Sequence, residues 1–323
     1  MSKLILITGA GGFIGVNLVK KLLESDCYVI GIDNFCSSDI SKSEQFKINS
    51  HYELIQADIC DNIEALIEQS RLFKEQGRVD QIFNLACPAS PPRYLKLPLE
   101  TINTCTIGLT NVLNIAMKYN SVIVQASTSE IYGDPLEHPQ TENYRGNVNT
   151  VGPRSCYDEG KRIAETICFE YRKNFGLDVK IARIFNTYGP YMDADDGRVV
   201  STFINQSLNN ENLTMFGDGN QTRSFQYISD LLDGLIKLIH SDKNLFGPIN
   251  IGNPNEFTIK ELAELVLSSV KKTTSKIVYQ DIPIDDPKQR KPDINKAQKE
   301  LNWIPIVQLK EGLEETIKYF KDI

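Results

Sequence analysis

The chain opens on a short apolar run, Leu4 to Ile7, that leads directly into Gly9-Ala10-Gly11-Gly12-Phe13-Ile14-Gly15. Glycines spaced in this way after a predicted strand permit a tight turn and let the backbone approach a pyrophosphate. The N–H groups and positive dipole end of the following helix then stabilise its charge. Phe13, Ile14, Leu18 and Leu22 share one helical face, so the turn opens an amphipathic helix. Asp33 ends the second predicted strand, where a carboxylate accepts from an adenosine ribose 2′-hydroxyl. Together these features predict a dinucleotide site. A capping aspartate is the structural alternative for Asp33. No arginine stands next to it, and its charge repels a 2′-phosphate, so NAD is favoured over NADP. Asp58-Ile59, at the end of the third predicted strand, either meets the adenine edge or supplies an N-cap to the next helix.

Beyond this unit, short β-rich runs alternate with helical periodicity, the pattern of βαβ units around a parallel sheet. Strands are predicted at 3–8, 28–33, 52–57, 80–85, 121–126 and 179–184, with helices over 62–75, 98–119 and 155–173. The fold class is α/β: a doubly wound parallel Rossmann sheet with a smaller C-terminal α/β substrate-binding region. The Rossmann part is assigned to 1–185 with a returning segment near 227–251, and the remainder of 186–323 to substrate. Past residue 185 the turn-rich stretches Asn186 to Pro190 and Phe216 to Asn220 bracket a helix near 199–209. Helices follow at 227–240, 258–271 and 309–321, and strands at 247–251 and 277–282.

Composition narrows the function. With 35 basic against 42 acidic residues, a net charge of −7 leaves no footprint for a nucleic-acid backbone. The early apolar run is too short for a signal peptide or membrane span, so no membrane partner and a cytoplasmic location are expected. Seven cysteines without a CxxC pair suit reduced thiols rather than disulfides or zinc. Three scattered histidines give neither a metal centre nor a Ser/His/Asp triad, so no metal is expected and acid–base work falls to Tyr, Lys, Glu or Arg.

Tyr157 and Lys161 lie four residues apart, hence on one helical face, and a neighbouring ammonium favours the phenolate, making Tyr157 usable as a base near neutrality. With the glycine turn and with Ser127-Thr128-Ser129-Glu130 at the end of the fifth strand, this pattern resembles the extended short-chain dehydrogenase/reductase superfamily, the NAD-dependent epimerase/dehydratase group. The likeness implies that Thr128 orients the reacting oxygen, Tyr157 moves the proton and Lys161 holds the nicotinamide ribose. Longer stretches narrow it. Leu85 to Pro92, Ser127 to Pro135, Gly152 to Lys161, Ala182 to Pro190, Asp196 to Val200, Gln221 to Asp230 and Arg290-Lys291-Pro292 are similar to the UDP-glucuronate decarboxylase (UDP-xylose synthase) family across essentially the whole chain.

That resemblance implies a carboxy-lyase with tightly bound NAD, acting on a UDP-sugar through a UDP-4-keto intermediate. Cofactor contacts are expected from Gly9, Gly12, Phe13, Ile14, Asp33, Asn34, Asp58, Ile59, Leu85, Ala86, Tyr157 and Lys161. Substrate contacts are expected from Pro88, Tyr94, Asn186, Arg198, Val199, Arg223, Tyr227 and Arg290. Thr128, Ser129, Glu130, Tyr157, Lys161 and Arg290 form the catalytic set; Ser129 stands where related 4,6-dehydratases carry an aspartate that protonates a leaving hydroxyl. A capping acid is the alternative for Glu130, and a solvated charge the alternative for Arg290. Four residues depart from the family pattern: Asn84 for His, Cys105 for Asn, Arg145 for Trp and Tyr191 for Arg, the last two at the expected border of the sugar pocket. Pairing through 98–119 and 155–173 implies a homodimer. A UDP-sugar 4-epimerase and a non-catalytic NAD-binding module are the competing functions.

Overall fold

The computed structural model describes residues 3–245, 247–281 and 289–322. Strands β1 (Leu4–Thr8), β2 (Tyr28–Asp33), β3 (Tyr52–Gln56), β4 (Gln81–Asn84), β5 (Val122–Thr128) and β6 (Val179–Ile184) join Pro248–Ile251 in a seven-stranded sheet. The order is Pro248–Ile251, β6, β5, β4, β1, β2, β3, and every pairing is parallel. All five residues of β1 are buried, as a strand covered on both faces requires. One face packs Leu18, Leu22, Leu231, Leu235 and Trp303. The other packs Ile63, Leu109, Val112, Ala164 and Cys168. The chain runs outward from β1 through β2 to β3, then returns to the other side of β1 as β4. Ligands of such sheets bind at this reversal, beyond the carboxyl ends of the strands.

A third apolar cluster joins helices Val199–Leu208, Ile259–Ser269 and Leu309–Asp322 through Phe203, Leu262, Val266 and Leu313. Small strands too short to show periodicity organise this part. Thr222–Ser224 lies between Glu256–Thr258 and Gln289–Arg290, in a register that sets Arg290 beside Arg223. Leu213–Phe216 pairs with Ile277–Gln280; residue 282 of the predicted strand lies outside the described residues.

Two predicted helices are interrupted. The stretch 62–75 forms Ile63–Gln69 and Arg71–Gln76, because the Ser70 hydroxyl accepts from the Phe73 N–H and starts a second helix. The stretch 98–119 contains a π turn, Thr104–Gly108, between Pro98–Asn103 and Leu109–Tyr119.

Candidate active site

Gly9 has φ +71°, and a Cβ there would lie 2.7 Å from the Ala86 nitrogen. On Gly15 a Cβ would lie 2.1 Å from the Gly9 carbonyl oxygen. No side chain fits between the turn, its helix and the segment after β4, so the backbone itself forms the cradle. Gly12 stands at the N-cap of Phe13–Leu23 without a side-chain cap, which leaves the first-turn N–H groups to a ligand. The Asp33 carboxylate accepts from the N–H groups of Gly11 and Phe35, each at 2.8 Å, and from the Ser38 hydroxyl at 3.2 Å. Burial raises its pKa against these hydrogen bonds. Asn34 donates to Asp58 at 2.8 Å, and the second Asp58 oxygen accepts from the Cys60 N–H at 2.8 Å. Asp58 therefore braces a turn and is not the N-cap of the next helix, which is Asn62. Ile59 is buried, with the π-turn residue Gly108 close against its side chain. The Leu85 N–H donates to Thr8 O at 3.1 Å, fixing Leu85 and Ala86 across the switch point. This cradle fits a dinucleotide.

At the adjoining strand end, Thr128 closes β5, and its hydroxyl accepts from the Glu130 N–H at 3.2 Å. Tyr157 and Lys161 are buried in the first turns of Ser155–Phe175. Lys161 donates to Ala126 O at 3.0 Å, and its ammonium lies 5.8 Å from the centre of the Tyr157 ring. Tyr94 stacks on Tyr157 with centroids 5.0 Å apart and planes 8° from parallel. The phenol of Tyr157 is pushed up to about 12, because burial outweighs the opposing pull of Lys161, the Thr128 hydroxyl and Arg198. This corrects the expectation of a phenol already activated by Lys161: desolvation is the larger effect.

A charged cluster borders these groups. Arg290 is only 2% exposed and donates to Ser129 O, to Gly133 O at 2.8 Å and to Glu130 Oε1 at 3.3 Å. It is not a solvated surface charge. Glu130, in the turn Ser129–Tyr132, also pairs with Arg154. Burial opposes its ionisation, but Arg290, Arg154 and Arg223 outweigh that effect and hold its carboxyl below the usual range. Asp158 behaves oppositely: burial, reinforced by Glu130, pushes it up to about 7.

Apart from Asp158, these groups face a cleft of about 630 Å³, lined among the described residues by Arg154, Arg198, Arg223, Arg290 and Lys161 against one carboxylate, Glu130. Thr128, Ser129, Tyr94, Asn186, Val199, Phe13, Ile14 and Leu85 also line it. Other expected substrate residues lie elsewhere. Pro88 is buried behind Cys87 and Ala89, which do face the cleft. Tyr227 packs edge-on to Tyr188 at 5.6 Å, with Gly312 of the last helix against its ring. Neither departure expected at the sugar pocket lines it. Arg145 is exposed, and Tyr191, at φ +70°, lies against Tyr319 with ring centres 5.1 Å apart. Arg154 was not singled out by sequence reasoning, although a basic residue one turn before Tyr157 shares its helical side. Among the described residues no group of His, Cys, Asp or Glu is placed to hold a metal ion, and no helix is long and apolar enough to cross a membrane.

The doubly wound sheet and the Thr–Tyr–Lys group beside its cradle define an extended short-chain dehydrogenase/reductase. Residues 6–316 match the family model described as GDP-mannose 4,6 dehydratase. The sequence is 48% identical over 318 residues to UDP-glucuronic acid decarboxylase 1 of Danio rerio, covering 98% of this chain and 72% of the relative. It is 50% identical over 310 residues to UDP-glucuronic acid decarboxylase 6 of Arabidopsis thaliana, covering 96% and 86%. The chain belongs to the UDP-glucuronic acid decarboxylase family. Among solved structures, UDP-glucuronic acid 4-epimerase from Bacillus cereus in complex with UDP-glucuronic acid and NAD aligns over 99% of both chains, with TM-score 0.84 and 28% identity.

Proposed function

We propose that the enzyme decarboxylates UDP-glucuronate to UDP-xylose with NAD, without net redox change. The observation that carries this reading is the charge of the cleft. In a chain of net charge −7, four arginines and Lys161 converge on a site whose described residues include one lining carboxylate, Glu130. Such a surplus suits a ligand with a diphosphate and a carboxylate. Family membership points the same way, and Ser129 leaves no acid where dehydratases carry one.

When bound in the glycine cradle, NAD would supply a hydride acceptor and donor for C4. Tyr157 takes the C4 hydroxyl proton, with Lys161, the Thr128 hydroxyl and Arg198 opposing the burial that pushes its pKa up to about 12. Thr128 orients the C4 oxygen. Lys161, anchored on Ala126 O, steadies Tyr157 and would hold the nicotinamide ribose. A ketone at C4 lies β to the C6 carboxylate, which makes loss of carbon dioxide facile and leaves an enolate requiring a proton at C5. Glu130 serves that proton or its water, while Arg290 fixes Glu130 and Ser129 and lends positive field. Arg198 and Arg223 hold the diphosphate, with Asn186 and Val199 completing the substrate side. Gly9, Gly12, Asp33 and Asn34 hold the dinucleotide.

The apolar side chains Leu99, Ile107, Phe169 and Phe175 are between 45% and 69% exposed on the stretch 98–119 and on Ser155–Phe175, which supports pairing of two copies through these helices. Unpaired thiols at all seven cysteines suit a cytoplasmic enzyme. Mass spectrometry after incubation with UDP-glucuronate tests the reading: a product lighter by about 44 mass units supports it. An isomer indicates 4-epimerisation, and an unchanged substrate indicates a binding module.

A further inference from the structure

Two thiols meet behind the reacting groups. Cys87 follows β4 and faces the cleft, whereas Cys105 is 3% exposed inside the π turn Thr104–Gly108. Their sulfurs lie 3.7 Å apart. Cys105 also abuts the catalytic helix, since a Cβ on Gly160 would sit 3.3 Å from its sulfur, one residue before Lys161. π turns are rare and concentrate at functional sites.

We propose that Cys87 and Cys105 form a reversible disulfide, an oxidative modification site in the wall of the cleft whose co-reactant is a hydroperoxide. The Cys105 thiol is held below its ordinary value, chiefly because Cys87 donates a hydrogen bond to it, with Lys161 adding to the effect. Cys87, the donor of that hydrogen bond, is held well above its own ordinary value, so the nucleophile is Cys105. The Cys105 thiolate attacks a peroxide oxygen, the O–O bond breaks, hydroxide leaves and takes up the proton that Cys105 had released, and a sulfenic acid remains on Cys105. The Cys87 thiol, 3.7 Å away, then attacks that sulfur; the S–O bond breaks and the Cys87 proton leaves with the departing oxygen as water. Two thiols and one hydrogen peroxide give one disulfide and two waters, each sulfur losing one electron and the peroxide gaining two.

Bonding brings the sulfurs from 3.7 Å to about 2.05 Å, a closure of about 1.7 Å. The closure draws the segment carrying Cys87 and the π turn carrying Cys105 together, and Cys105 abuts the helix of Lys161 at Gly160. A misplacement of about 1 Å at reacting groups costs on the order of 10²-fold in rate.

The linkage goes beyond the proposed activity, and only its rate effect rests on that activity. The test treats the NAD-loaded enzyme with hydrogen peroxide, blocks remaining thiols with iodoacetamide and maps non-reduced peptides. The expected result is a Cys87–Cys105 peptide pair lacking two hydrogens, formed as UDP-xylose production falls about 10²-fold and reversed together with it by dithiothreitol. Cys105→Ser is expected to keep the reduced-state rate and to lose the linked pair. Absence of the pair, or Cys87 linked instead to Cys156, overturns the proposal, as does a linked enzyme with undiminished turnover. Peptide mapping decides the linkage whichever sugar nucleotide the reduced enzyme processes.

Discussion

Replacing Glu130 by Gln removes the one carboxylate that faces the arginine-lined cleft among the described residues, while keeping side-chain size. Its oxygens meet Arg154 and, at 3.3 Å and 3.5 Å, the two terminal nitrogens of Arg290, which is 2% exposed. Removing one partner of a buried pair costs about 3–5 kcal/mol. Arg290 keeps Ser129 O and Gly133 O as acceptors, which places the cost near the lower bound, about 3 kcal/mol. At about 2–4 °C per kcal/mol, the melting midpoint falls by about 6–12 °C at pH 7. The carboxyl titrates below its ordinary 4.5, so its stabilisation is complete above that pH and is lost as pH falls through the folded value. The gap between wild type and variant should therefore close on acidification below 4.5. Carbon dioxide release should drop about 10²–10⁴-fold, with reduction of bound NAD by UDP-glucuronate less affected. Thermal scans at several pH values, with separate assays of carbon dioxide and NADH, check both consequences. An unchanged melting point would refute the charge argument, and unchanged carbon dioxide release would remove Glu130 from the chemistry.

Other substitutions probe the remaining parts. Tyr157→Phe keeps the stack on Tyr94 but removes the phenol oxygen, so kcat should fall about 10²–10⁴-fold with the melting point little changed; an active variant would place the base elsewhere. Gly9→Ala forces a Cβ to 2.7 Å from the Ala86 nitrogen at φ +71°, and calorimetric titration should show loss of NAD binding even where the protein remains folded. Asp158, raised to about 7, is held at a cost once ionised, which grows as pH climbs from its unfolded value of 3.8 through the folded one. Asp158→Asn should thus raise the melting point more at pH 8 than at pH 5, and an equal change at both would show that Asp158 is not titrating in this range.

The sheet was legible because its strands are continuous apolar runs between amphipathic helices, and Gly9 and Asp33 mark the switch point through local backbone needs. Tyr157 and Lys161 were legible for a similar reason, since helical geometry alone puts residues four apart together. The charge cluster was not. Glu130 and Arg290 are separated by 160 residues and meet only because the strand Gln289–Arg290 pairs with Thr222–Ser224, an element too short to leave a periodic trace. Family likeness supplied both residues, but not the Arg154 contact or the burial that turns Arg290 from a surface charge into an internal one. The π turn was likewise invisible, because one widened turn barely disturbs the apolar spacing of 98–119, yet it decides that Cys105 faces Cys87. Tyr227 was drawn to the cleft by its position in a matching stretch, whereas packing against Tyr188 and Gly312 holds it away.

Isotope tracing tests most directly the claim that this cleft decarboxylates UDP-glucuronate without net oxidation. Substrate deuterated at C4 should yield UDP-xylose that retains the label at C4 and takes one solvent hydrogen at C5, with one carbon dioxide released per product. A label lost from C4, or a sugar that keeps its carboxylate, would contradict the account.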